Sequence, residues 1–160
     1  MPKWLDLPPI WLIATMASVY AIAQMTGPSL SWPLPWWTAV AIMAMGGGLA
    51  VWAAISFRMA KTTIVPHRTP SALITSGAFS YSRNPIYLAD VIVLIGWGAL
   101  FGAVLPFVLV PIFIWIIQIR FIRPEETRLS AEFGEEFDAY KSRTRRWIRG
   151  HGDKNGRERW

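Results

Sequence analysis

The chain has no cysteine. A disulfide framework, a thiolate nucleophile and a cysteine-ligated metal centre are therefore excluded. Histidine is nearly as scarce. His67 and His151 stand far apart and are too few to form a metal centre of their own. Charge is missing over long stretches: no Asp, Glu, Lys or Arg occurs in residues 7–25, 27–57 or 91–119. A nucleotide-binding glycine signature is absent too. Gly46-Gly47-Gly48 lies inside an apolar run and lacks the strand-to-helix setting of a phosphate loop. No internal repeat is visible.

What fills the chain instead is apolar and aromatic: 53% of its 160 residues are hydrophobic and ten are tryptophan. One domain is the natural count at this length, divided into an N-terminal two-helix region (1–61), a core (62–148) and a charged tail (149–160). A bilayer crossing needs about 20 apolar residues in a helix, and the uncharged runs meet that length. The first run has only Lys3 before it and no small-residue cleavage site, so a retained helix is expected rather than a signal peptide.

The fold class read from these runs is an all-α integral membrane protein with about four transmembrane helices. The first runs roughly over 9–25, started by Pro8-Pro9, with Trp4 and Trp11 at headgroup level. The second covers about 35–58, with Trp36 and Trp37 at its interface. Its three central glycines would allow close helix packing. The mostly apolar segment 85–122 is long for one crossing, so a helical hairpin (helices 3 and 4) turning near 101–106 is expected. After Pro124, Leu129, Phe133, Phe137 and Tyr140 recur on one face. They predict a C-terminal amphipathic helix, bent near Gly134, along the membrane surface or over a pocket.

Basic residues sort these segments. Lys3 is at the start; Arg58, Lys61, Arg68 and Arg83 lie in the middle loop; eleven of the sixteen Lys and Arg fall from Arg120 onward. The turns near Ser29 and Gly102 carry none. By the positive-inside rule, the N- and C-termini and the middle loop would all be cytoplasmic.

The polar chemistry gathers at that same edge. Arg83, Asn84 and Tyr87 stand at the mouth of the third helix, where Arg offers a fork of donors to a carboxylate. The same residues also suit an interfacial anchor. Glu125 and Glu126 would favour a helix N-terminus, or with Arg120 and Arg123 would form a site for a cation or a general base. Asp90, one turn into an apolar helix, is a second-tier candidate, as is His67 in its loop. Arg143 and Arg145 read as contacts to anionic lipid.

Ser76-Gly77-Ala78-Phe79-Ser80-Tyr81-Ser82-Arg83-Asn84-Pro85-Ile86-Tyr87-Leu88 resembles the first block of the isoprenylcysteine carboxyl methyltransferase and phospholipid methyltransferase superfamily. Glu125-Glu126-Thr127-Arg128-Leu129, Phe133-Gly134, Phe137, Tyr140 and Thr144-Arg145-Arg146-Trp147-Ile148 resemble its second block. The order and the spacing across a hairpin agree, over more than half the chain.

The resemblance implies a bacterial-type integral membrane methyltransferase of the inner membrane that uses S-adenosylmethionine. It implies that Arg83, Asn84, Pro85, Tyr87, Leu88 and Tyr140 line the cofactor site, while Glu125, Glu126 and Arg146 close it or face the acceptor. Glu125 or Glu126 would orient the acceptor or cofactor, and Arg146 would hold a carboxylate. Asn84 stands where many members carry His, and an amide does not titrate. Phe137 replaces a frequent Tyr. The partners implied are the bilayer and a lipid-like or amphiphilic acceptor, with no nucleic acid; the oligomeric state stays open. An NADPH-dependent membrane reductase of the sterol-reductase type and a non-catalytic scaffold are the competing readings.

Overall fold

The computed structural model describes residues 7–28, 35–60 and 72–148. Within them lie five α-helices: α1 (Pro8–Thr26), α2 (Trp36–Met59), α3 (Pro85–Ala99), α4 (Leu109–Ile117) and α5 (Arg123–Arg143). Two 3₁₀ turns, Gly77–Ser80 and Leu105–Val108, precede α3 and α4, and a π-turn, Gln118–Ile122, joins α4 to α5. Among the described residues there is no strand.

Helix length follows from hydropathy. With a rise of about 1.5 Å per residue, the 19 residues of α1 reach roughly 28 Å and the 24 of α2 roughly 36 Å. Both match a hydrocarbon core of about 30 Å. A third helical stretch long and apolar enough to cross is Leu105–Arg143, which includes α4, the π-turn and α5. At 15 residues, α3 is apolar but shorter. It turns back into α4 through residues 100–104, where Gly102 takes φ +61. The hairpin expected near 101–106 is therefore present.

Proline starts two of these helices. Pro8 and Pro85 each occupy a first helical position, where the missing N–H costs nothing and φ is already set. Pro124 acts differently. A helix start was expected there, yet the backbone enters α5 without a gap: Ile122 and Arg123 both keep helical angles. A proline ring crowds the carbonyl four residues earlier. The wider π-turn immediately before it accommodates that crowding.

Helices α2 and α3 approach closely at a reciprocal pair of glycines. A Cβ on Gly46 would lie 2.9 Å from the Ala89 carbonyl oxygen, and one on Gly96 would lie 2.9 Å from that of Ala39. The triple glycine was expected to serve close packing as a whole. Only Gly46 does so; Gly47 and Gly48 face open space.

Two apolar clusters organise the bundle. Val19, Val91, Leu94, Phe113, Ile117, Phe121 and Ile122 join α1, α3 and α4. Ala53, Ile74, Ala78, Phe79, Phe137 and Tyr140 join the end of α2, the 3₁₀ turn and α5. Leu129 and Phe133 pack on this second cluster, so the apolar face foreseen for α5 is the one it buries. Gly134 breaks the helix with φ 47 and ψ −119, where the bend was expected. Trp36, Trp37 and Trp115 stay exposed, as suits a fold whose outer surface meets lipid tails. Trp11 lies 5.1 Å beneath the Arg120 guanidinium.

Candidate functional site

The site forms where α2 ends, α3 begins and α5 passes over both. Its floor is the turn at 77–80. Gly77 adopts φ +62, and a Cβ there would meet the Ser56 hydroxyl at 2.6 Å. This close approach seats Ala78 and Phe79 in the core. Phe79 meets Phe57 edge-on, with ring centroids 5.2 Å apart. Its carbonyl accepts a 2.7 Å hydrogen bond from the Tyr140 hydroxyl. One tyrosine thus fastens α5 to the turn.

Past the turn, the chain enters α3 through Ser82-Arg83-Asn84. Glu126 is the hub of this region. Arg146 donates to it from two nitrogens, with Nε 3.1 Å from Oε1 and Nη2 on Oε2. Arg83 approaches from the other side, Nη1 to Oε1 at 3.1 Å. Burial lowers the Arg83 pKa below its ordinary value, and Glu126 acts in the opposite direction. The hydrogen bond to Glu126 raises the Arg146 pKa. Both guanidinium groups share one carboxylate. Arg83 Nε is buried and has no hydrogen-bond partner among the described residues. A buried donor left unpaired costs free energy, and this one sits beside the cleft.

Glu125, the neighbour, has no such clamp. Its contact is the Tyr87 hydroxyl at 3.5 Å, the outer limit of a hydrogen bond. The two glutamates, not distinguished by sequence, both line the cleft but differ in partner: Glu126 holds two guanidinium groups, and Glu125 meets the Tyr87 hydroxyl.

The cleft itself offers about 500 Å³, counting its open mouth. Phe57, Leu73, Ile74, Phe79, Leu129 and Phe137 give it an apolar wall. Arg83, Asn84, Glu125, Glu126 and Tyr140 give it a polar end. Five residues named from sequence are thus brought together. Pro85, Tyr87, Leu88 and Arg146 flank them without lining the cleft. Pro85 is buried at the first position of α3, and the Leu88 N–H closes the first helical bond on the Asn84 carbonyl. Tyr87 leans on Phe121, and Arg146 acts through Glu126. Asp90 is half-buried and outside the cleft wall. Arg143 turns its Nε to the Ala139 carbonyl in its own helix. His67 lies outside the described residues.

Phe57, Leu73 and Ile74 were not placed at the site from sequence, and Phe79 entered only within the first family-like block. Their hydrophobicity was visible, but nothing in their spacing says that they converge. Among the described residues, no three His, Asp or Glu side chains are grouped to hold a metal ion.

Similarity to known proteins bears on this arrangement. Over 135 residues, 84% of its length, the chain is 30% identical to the nickel-cobalt-cadmium resistance protein NccN of Alcaligenes xylosoxydans xylosoxydans. The match spans 61% of NccN. An uncharacterized protein of Haemophilus influenzae is 38% identical over 63 residues, its whole length and 39% of this chain. No solved structure matches. Residues 34–136, from the start of α2 through most of α5, match the family described as Phospholipid methyltransferase. With its membrane-length helices, and with both the Arg83 loop and the Glu125-Glu126 pair inside the matched span, the chain belongs to the phospholipid methyltransferase family.

Proposed function

We propose that the protein transfers a methyl group from S-adenosylmethionine to a lipid-like or amphiphilic acceptor at the cytoplasmic face of a bacterial inner membrane. The observation that carries this reading is a cleft with Arg83, Asn84, Glu125 and Tyr140 at its polar end and Phe57, Phe79 and Phe137 in its wall. The cofactor has a carboxylate, which suits a guanidinium donor. It has an aromatic base, which suits a wall of phenyl rings. It also has cationic amine and sulfonium groups, which suit a carboxylate or an aromatic face. The donor set fits the group.

When bound, S-adenosylmethionine supplies a methyl group activated by its sulfonium, so the protein's task is to bind, orient and exclude water. Arg83 anchors a carboxylate from the cleft wall. Glu126, engaged by Arg83 and Arg146, keeps both cations in place. Glu125 has the freedom to hold a cationic group or to take up a proton from the acceptor at its carboxylate oxygens. Asn84, Pro85, Tyr87, Leu88 and Tyr140 shape the pocket's entrance from α3 and α5. A lipid-like acceptor reaches it sideways along the apolar wall. The concentration of basic residues in the middle loop and after Arg120 favours a cytoplasmic site.

Calorimetric titration of detergent-purified protein with S-adenosylmethionine tests the proposal. Binding that Glu125→Ala and Tyr87→Ala weaken supports it, and transfer of a radiolabelled methyl group to a lipid extract then finds the acceptor. Absence of binding in a folded sample rejects the cofactor.

A further inference from the structure

After α5 ends at Arg143, residues 144–148 run as a strap across the start of α3. Three hydrogen bonds from the Arg83 loop hold its backbone. The Arg83 N–H donates to the Arg145 carbonyl at 3.0 Å. The Ser82 hydroxyl and the Asn84 side-chain amide both donate to the Arg146 carbonyl, at 3.2 and 3.0 Å. The four buried polar residues among those described are Ser56, Ser82, Asn84 and Thr144. Three of them lie at this crossing.

Asn84 stands at the N-cap of α3, the position where an asparagine normally turns its side chain onto the helix's own free N–H groups. It makes no such bond. Its backbone N–H is held instead by the Ser82 hydroxyl at 3.1 Å, and its carboxamide reaches a residue 62 positions away. The local use has been given up for a distant one.

We infer that Asn84 is a positioning residue: with Ser82 it clasps the Arg146 carbonyl, and so sets the strap at the register that delivers the Arg146 guanidinium to Glu126. The carbonyl and the guanidinium of one residue are gripped from two elements, α3's entrance and α5. Neither grip alone defines where the side chain points. The role needs a donor at position 84 and no titrating group, so a neutral imidazole could fill it. The consequence for the cofactor pocket rests on the proposed methyl transfer; the clasp itself does not.

Because the chain lacks cysteine, a single nitroxide label reports the strap without interference. Ile148→Cys places it on an exposed side chain at the strap's end, and Met45→Cys on α2 is the control. The full-length protein is used in detergent. Asn84→Leu keeps the bulk and removes the donor. It should raise the mobile-to-immobile ratio at position 148 about tenfold, the factor that matches the net contribution of one hydrogen bond, with the control label unchanged. Asn84→His should restore the immobile spectrum. S-adenosylmethionine affinity should fall with Asn84→Leu and recover with Asn84→His. An unchanged spectrum in Asn84→Leu overturns the clasp. If that variant does not fold, Ser82→Ala, which removes the second donor, is read the same way and an unchanged spectrum there overturns it. Failure of the unsubstituted protein to bind S-adenosylmethionine rejects the cofactor while leaving the label response to judge the strap.

Discussion

Arg146 grips Glu126 with two nitrogens across a gap of twenty residues in sequence. The fork of a guanidinium matches the two oxygens of a carboxylate. This one is largely shielded from water, since the Glu126 side chain is 16% exposed. Arg83 completes the arrangement from α3's entrance. The contact ties three segments together and determines what each glutamate is free to do.

Glu126→Gln should therefore act on stability first. The substitution removes the charge that both guanidinium groups face, and a hydrogen bond to a charged group contributes about 1.5–3 kcal/mol. Thermal unfolding in detergent should show a loss of that order. Unfolding at the unsubstituted temperature would mean that the clamp contributes nothing.

Glu125→Gln should leave stability nearly untouched, because its one hydrogen bond among the described residues is the long one from Tyr87. Methyl transfer should fall about a hundredfold or more, the range for losing a positioned acid or base. A variant that unfolds early but turns over normally would reverse the roles assigned to the two glutamates.

Gly46→Ala and Gly48→Ala form a matched pair on one helix. At position 46 the new methyl group meets the Ala89 carbonyl at 2.9 Å. Overpacking of that kind costs about 1–3 kcal/mol. At position 48 nothing is within 4 Å, and replacing a helical glycine by alanine favours the helix by roughly 1 kcal/mol. Denaturant titration of the two should move in opposite directions. Equal destabilisation would show that the α2–α3 approach is not the constraint.

Tyr140→Phe removes the hydroxyl that satisfies the Phe79 carbonyl. A buried acceptor left without its donor costs about 1–3 kcal/mol. The turn at 77–80 carries one wall of the cleft, so cofactor affinity should weaken together with stability. Loss of stability at full affinity would confine Tyr140 to a structural role.

Much of the architecture could be read in one dimension. The uncharged runs marked the helices because a bilayer crossing demands only length and apolarity. Leu129, Phe133, Phe137 and Tyr140 declared the buried face of α5 because helical spacing sets which side chains share a face. Gly134 marked its bend. Arg83, Asn84 and the two glutamates announced polar chemistry by standing beside long apolar blocks.

Tertiary structure decided the rest. Glu125 and Glu126 are neighbours in sequence and point about 100° apart around a helix with 3.6 residues per turn. Which one meets two arginines depends on how α5 lies over α3. Gly46 and Gly48 look alike in the chain, yet only Gly46 faces a helix. Asn84 looked like a pocket residue or a cap, and its amide instead holds a carbonyl that the fold brings across from residue 146. Composition and period are properties of a segment, whereas a partner is a property of the packing between segments.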